Sequence, residues 1–473
     1  MGASSLIEQV RCQLGVVGGA VRCDGAVAVT EACSLRQMLE SRITDPRCRR
    51  GIRYRLASLL SVLIAGVACG YDSVLAIANA AAGWDQDVLA AHGVRINPVT
   101  GAYEAPSAST LTRLPACLDA DELEAALSEW VACWALDPTT PARIARGGQQ
   151  VRADQGTTNG AGGNRRRKPT AAAALARVNE AGHRQAAPGH PWLDPAVIVD
   201  SAHRPVRVAL AVDGKERKLA KAGAKTKVHL LGALVHHLGA LIGQDRVAKT
   251  EKTNEIKHFV PLLEPLPLTD VLITADAIHT QRTHARWLVE DNNAHYLLPV
   301  LGNQPGLYER VNALPWTDVP ITAATVDVAR GRIETRTIRL LSAPPDLDFP
   351  HARQIVLIER YVTIKKNRQW VNRNCEAVLY LTDLAHDQTS PADLLAHIRG
   401  HWGIEQLHWL RDVIWNEDKS TIRTGNAPQV MSTLTNLVIT LFRLQGVTKI
   451  KAGTRLNAQK PHRPLQLLAF RPG

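Results

Sequence analysis

The chain has 473 residues, with 56 Lys+Arg against 44 Asp+Glu, a net charge of +12 and 45% hydrophobic residues. That composition builds ordinary globular cores over about two to three domains, and it excludes a wholly disordered chain, a collagen-like repeat and a small disulfide scaffold. The basic balance favours an acidic partner, of which nucleic acid is the commonest.

The longest charge-free apolar stretch near the start runs from Leu56 to Tyr71 and contains Gly66 and Gly70. It is shorter than the ~20 residues of a membrane span and reads as a buried core helix. Glu8, Arg11, Arg22 and Asp24 leave no export signal in the first 25 residues, so a cytoplasmic protein with no membrane partner is expected. Seven of the eight cysteines precede position 134 and none forms a C-x-x-C pair. Reduced thiols are therefore expected, and zinc is not. Residues 1–50 give little periodic signal. From Arg53 to about Trp134 the pattern is helical, with Leu56, Leu59, Leu60 and Leu63 on one stripe, which predicts a helical N-terminal domain over 1–140.

Residues 141–195 change character, with Gly147-Gly-Gln-Gln, Gly160-Ala-Gly-Gly-Asn and the run Arg165, Arg166, Arg167, Lys168. Between 141 and 190 there are nine Lys/Arg against two Asp/Glu. This is a basic linker, read either as a solubilising spacer or as a phosphate-tracking arm. Strands are predicted over Val206–Val212, Val228–Val235, Leu238–Gln244, Val271–Asp276 and His295–Val300, with helices over Thr253–Leu263 and Gln281–Glu290. Two alternating stretches, from Ile333 and from Gln354, predict a β-rich insertion over 305–370. Ala377–Leu381 returns to the main sheet, Pro391 opens a helix reaching about Trp415, and Met431–Leu444 forms a last helix. The tail from Lys449 is basic.

Three carboxylates stand out. Asp213 and Asp276 each end an apolar strand beside a small residue, and Glu405 shares a helical face with Trp402, Trp409 and Asp412. An acid on an aromatic face is expensive to desolvate unless it is paired or metal-bound. Two strand-end aspartates and a helix glutamate can hold two Mg²⁺ ions for phosphodiester chemistry. The alternative is local: a strand-to-turn cap for each aspartate, and a salt bridge to Arg399 or Arg411 for Glu405. Trp402, Trp409 and Trp415 read as core residues in preference to base-stacking platforms.

The words around these residues resemble the DDE transposases of bacterial insertion sequences, in the group containing the H-repeat-associated proteins. They are Ala211-Val-Asp-Gly-Lys, Lys252-Thr-Asn-Glu-Ile, Thr274-Ala-Asp-Ala-Ile-His-Thr-Gln, Gly302-Asn-Gln-Pro and Gly331-Arg-Ile-Glu-Thr-Arg. Arg399-Gly-His-Trp-Gly-Ile-Glu, Leu407-His-Trp-Leu-Arg-Asp-Val, Glu417-Asp and Arg423-Thr-Gly-Asn-Ala-Pro complete the series over about residues 53–447. The resemblance implies an α/β fold: an RNase H-like mixed-sheet catalytic core (196–304 and 371–447) with the β-rich insertion (305–370), preceded by the helical domain and followed by a basic tail (448–473).

It further implies that Asp213, Asp276 and Glu405 form a catalytic triad binding two Mg²⁺ ions, with Mn²⁺ as a substitute. The implied partner is double-stranded DNA, both terminal inverted repeats and target, bound by a homodimer, with nucleoid association when DNA is bound. Arg399, His401 and Trp402 on the signature helix are expected to position DNA, with Lys215 and the arm residues Arg165 to Lys168 as further contacts. The chain departs from the family pattern at Leu301, where a Lys is common, at Arg330, where a His is common, and at His401, where the wider group usually carries Arg. The run after Asp213-Gly214, Lys215-Glu-Arg-Lys-Leu-Ala-Lys, is also unusual.

Overall fold

The computed structural model describes residues 20–21, 29–30, 34–50, 52–135, 193–222, 226–247, 255–329, 331–367 and 369–469. The basic arm, including Arg165, Arg166, Arg167 and Lys168, lies outside the described residues. The chain divides into two compact units, one of Met1–Thr157, Asp213–Pro267 and Ile404–Gly473, the other of Thr158–Val212 and Leu268–Gly403.

The first unit opens with α1 (Leu35–Arg42), α2 (Leu56–Ala68), α3 (Val74–Ala82), α4 (Gln86–Ala91), α5 (Ala108–Cys117) and α6 (Ala120–Ala135). Helix α1 falls where periodicity gave no expectation. Its signal is a capping box: Ser34 Oγ accepts from Gln37 N at 3.3 Å, and Gln37 Oε1 accepts from Ser34 N at 2.9 Å. Helix α2, the predicted core helix, is buried along its whole length. Strands β1 (Ala209–Ala222), β2 (Thr226–Val235) and β3 (Ala240–Val247) follow, with α7 (Glu255–Leu263). Here the strand order is β3-β2-β1.

The second unit holds β4 (Leu272–Ala275), α8 (Arg282–Arg286, running into a π turn at Trp287–Asp291), β5 (His295–Val300) and α9 (Pro305–Asn312). Four long antiparallel strands come next: β6 (Ala323–Ala329), β7 (Arg332–Ser342), β8 (Gln354–Lys366) and β9 (Gln369–Thr382). The order is β1-β4-β5-β9-β8-β7-β6, in which β1, β4 and β5 are parallel and the remainder antiparallel. Ala209, Leu272, Leu297, Ile338, Val356, Leu394 and Leu395 pack into one core on a face of this sheet.

Helix α10 (Pro391–Trp415) begins in the second unit and ends in the first, and β1 crosses the same division at Val212/Asp213. The first unit closes with α11 (Ala427–Leu444), α12 (Ile450–Gln459) and α13 (Pro464–Leu468), so the predicted tail is helical. Helix α11 is buried on nearly every side, and two of its polar residues find partners across the core. Gln429 donates to Asp121 at 2.8 Å and Asn436 to Gln244 at 2.9 Å, which offsets their desolvation. Among the described residues no helix is long and apolar enough to cross a membrane.

One element differs from its expectation in a way that matters. The strand predicted to end at Val212 continues to Ala222. Asp213 therefore lies within β1, at the point where pairing with β4 stops. The polar run after it hides the strand from any hydropathy argument.

Candidate active site

In the parallel pairing of β1 with β4, Ala209 faces Leu272 and Val212 faces Ala275. The next residue on each strand is an aspartate, Asp213 on one and Asp276 on the other. Their surroundings differ. The Asp213 side chain is 17% exposed and that of Asp276 is 62% exposed.

Asp213 Oδ1 accepts from Gly214 N at 2.7 Å, and its Oδ2 lies 3.5 Å from His408 Nδ1 on α10. Gly214 is closely approached by two side-chain ends. A Cβ there would lie 2.6 Å from His229 Nε2 and 2.9 Å from Glu255 Oε1, two groups that themselves pair at 2.6 Å. Glu255, from the Lys252-Thr-Asn-Glu-Ile word, thus sits close against Gly214.

Asp276 caps a short 3₁₀ turn, Ala277–His279, with its carbonyl accepting from His279 N at 2.9 Å. Its Oδ1 lies 3.7 Å from His401 Nε2. The ring is oriented from its other side. Thr274 Oγ1 donates to Leu210 O at 3.2 Å and lies 3.0 Å from His401 Nδ1. Nε2 is left facing the carboxylate. The backbone after Asp276 is held by the Gly302-Asn-Gln-Pro word, Asn303 Nδ2 donating to Ala277 O at 2.6 Å and Gln304 Nε2 to Thr280 O at 3.0 Å.

Helix α10 presents His401, Glu405 and His408 at i, i+4 and i+7, on one face. Glu405 is exposed. So are Trp402 (49%) and Trp409 (60%), which corrects two expectations. The face carrying Glu405 and both tryptophans is solvated, so desolvation is not what distinguishes Glu405, and of the three tryptophans it is Trp415 that is core. Trp415 donates Nε1 to Val67 O at 2.9 Å. Spacing reports which residues share a face but not which face is covered. The two arginines considered as partners of Glu405 pair elsewhere. Arg411, 1% exposed, forms a bidentate pair with Glu417, and Arg399 lies 2.8 Å from Asp327.

Lys215, on the same side of β1 as Asp213 by strand alternation, is buried, with Nζ 2.7 Å from Asp412 Oδ2 and 3.8 Å from Asp418 Oδ1. Around Arg399 and Trp402 the second unit builds a charge chain. Arg360 sits 5.6 Å from the Trp402 ring centroid and 2.8 Å from Glu334 Oε1; Glu334 also pairs with Arg336, and Arg336 lies 3.6 Å from Asp327. Three arginines hold the Glu334 carboxyl below its ordinary value against the opposing effect of burial. The Gly331-Arg-Ile-Glu-Thr-Arg word pointed to Glu334 and Arg336. Nothing in the local sequence pointed to Asp327 or Arg360, because their partners lie far along the chain.

The three carboxylates supply the hard oxygen donors that Mg²⁺ takes. Among the described residues no group of three or more His, Cys, Asp or Glu converges at metal-binding distance.

The family profile for the Transposase DDE domain matches residues 191–441, more than half of the chain, and the DDE_Tnp_1-associated profile matches residues 38–131. The chain belongs to the DDE transposase family. Among curated relatives it is 30% identical to Putative transposase YncI of Escherichia coli O157:H7 over 265 residues, covering 53% of this chain and 65% of that protein. It is 28% identical to the H repeat-associated putative transposase YhhI of Escherichia coli strain K12 over 277 residues, 53% of this chain and 68% of that one. The match thus spans just under two thirds of YncI. A cryo-EM structure of the piggyBac transposase synaptic complex with hairpin DNA overlaps with TM-score 0.30 and 11% identity, covering 53% of this chain and 51% of that one, too slight to bear on the fold.

Proposed function

We propose that the protein is the transposase of an insertion sequence, binding the inverted-repeat ends of its element, cutting them and joining them to target DNA. The catalytic core is RNase H-like, spanning 196–304 and 371–447, with 305–370 as its β-rich insertion. The helical domain over 1–140 and the basic linker over 141–195 contribute to end binding. Asp213, Asp276 and Glu405 are the catalytic carboxylates. The observation that carries this reading is the β1–β4 register, which ends both parallel strands on an aspartate, beside a helix presenting His401, Glu405 and His408 on one face.

The carboxylates would hold two Mg²⁺ ions, which when bound activate the attacking oxygen and stabilise the leaving one. Mg²⁺ commonly takes one or two carboxylates and completes its shell with substrate phosphate oxygens and water. His401 and His408 orient the two aspartates, Thr274 fixes the His401 ring, and Asn303 and Gln304 hold the loop that carries Asp276. Arg399 and Trp402 face DNA, with Asp327 and Arg360 limiting their freedom. Two ends must be joined to one target, so a dimer is the expected assembly on DNA.

The test is strand cleavage of labelled DNA carrying the element's own ends, by wild type and by Asp213→Ala, Asp276→Ala and Glu405→Ala, with Mg²⁺ and with EDTA. Metal-dependent cutting lost in all three variants, with end binding retained, is the expected result. End binding without cutting by wild type would replace this reading with a DNA-binding protein of transposase descent. Cutting without joining would replace it with a nuclease. Cutting that survives Glu405→Ala would move the third carboxylate to Asp412 or Glu417.

A further inference from the structure

After Asp418 the chain carries no acidic residue: Lys419 to Gly473 contains nine Lys/Arg and no Asp or Glu. Helix α11 ends in a Schellman turn, with Gly446 at φ +73°, Gly446 N donating to Arg443 O at 2.9 Å and Val447 N to Phe442 O at 2.8 Å. That turn sends the chain directly into α12. Ile450, Thr454 and Asn457 form the buried face of α12, and Asn457 Nδ2 donates to Ala68 O of α2 at 3.2 Å.

Basic residues flank the outer face, which Ala452, Leu456 and Gln459 form. Lys451 and Arg455 stand one turn apart, Lys449 precedes the helix and Lys460 follows it, and all four are exposed. With Ala452, Leu456 and Gln459, the first three line a shallow groove of about 510 Å³. Among the described residues no carboxylate pairs with any of the four side chains. An ordinary solvated surface interleaves both signs of charge. This one does not.

We propose that the exposed face of α12 is a docking surface for the phosphate backbone of duplex DNA. The inference rests on the transposase reading and gives it a surface in the first unit. From Lys449 to Lys460 the cations span about 16 Å, roughly the rise of five nucleotides along one strand. The helix is already pinned to α2, so binding orders only side-chain tips. The contacts are to phosphates and carry no base specificity. An anionic membrane is the competing partner for such a face, but Ile450 is turned into the core and Leu456 is half-buried, which leaves the small Ala452 and Ala458 as the exposed apolar residues of α12 and no large apolar side chain to insert.

The full chain and the quadruple variant Lys449→Gln, Lys451→Gln, Arg455→Gln, Lys460→Gln are titrated over a salt series. The probes are a duplex carrying the element's ends, a mixed-sequence duplex, and vesicles of phosphatidylserine and phosphatidylcholine. The variant is expected to melt like wild type and to bind both duplexes about ten-fold or more weakly. Its salt dependence flattens by about 0.9 for each phosphate that the variant leaves unneutralised. Wild-type binding with unchanged affinity and slope in the variant overturns the inference and leaves the transposase reading intact. Loss of vesicle binding with duplex binding unchanged also overturns it, in favour of a lipid surface. No wild-type binding to the end duplex overturns the transposase reading itself.

Discussion

The Lys215 ammonium lies 2.7 Å from the Asp412 carboxylate, tying β1 two residues past Asp213 to α10 seven residues past Glu405. Lys215 is 8% exposed at its side chain and Asp412 33%, so the pair is neither a surface bridge nor a fully dry one. Removing one partner leaves the other charge partly desolvated. Lys215→Met is expected to lose about 1–3 kcal/mol in urea unfolding, and Lys215→Met with Asp412→Leu to recover most of it. A double variant as unstable as the single one would show that the pair does not clamp the two elements.

A Cβ on Gly214 would crowd the ends of the His229 and Glu255 side chains. Gly214→Ala should lower stability by about 1–3 kcal/mol through overpacking. Because the obstruction is a side-chain end, Gly214→Ala with His229→Ala should recover part of the loss. Thermal unfolding of the three proteins decides the matter, and an unchanged melting temperature for Gly214→Ala would refute the crowding.

Asn303 reaches across to the backbone carbonyl of Ala277, one residue past Asp276. It is exposed, so its loss should leave the fold alone and loosen the carboxylate. Asn303→Ala is expected to cut cleavage about ten-fold or more, with a stability change of about 0.5 kcal/mol or less. Equal cleavage by the variant would assign Asn303 to the turn alone.

Burial pushes the Glu124 carboxyl up to about 7, even though Thr433 Oγ1 at 2.5 Å and Ser128 Oγ at 3.2 Å both donate to it. The folded state therefore favours the protonated acid. Its stabilisation is complete below the ordinary value of 4.5 and is lost as pH rises through about 7. The loss is on the order of 3 kcal/mol. Relative to Glu124→Gln, wild type should be stronger in urea at pH 5 than at pH 8. A difference between the two proteins that does not change with pH would show that Glu124 ionises freely in the fold.

Much of the architecture was legible before the structure. The Leu56 stripe marked α2 and Pro391 marked the start of α10. Tight turns marked the β2–β3 hairpin, and apolar runs marked β4 and β5. Each of these signals is local, carried by side chains within one or two turns of each other. Where the local signal is polar, as in the second half of β1, periodicity marks Asp213 but not the strand that carries on past it.

The sequence by itself determined that the chain belongs to the DDE transposase family, because many short words in one order specify a family without any coordinates. It also determined that His401, Glu405 and His408 share a face, since helical period requires it. Only the tertiary structure decided which face of α10 meets solvent, that Lys215 answers Asp412 across 197 residues, and that Arg399 is held by Asp327. These are contacts between groups distant along the chain, set by strand register and by which side of each element is covered. Periodicity fixes relative angle within an element. Burial and pairing belong to its neighbours.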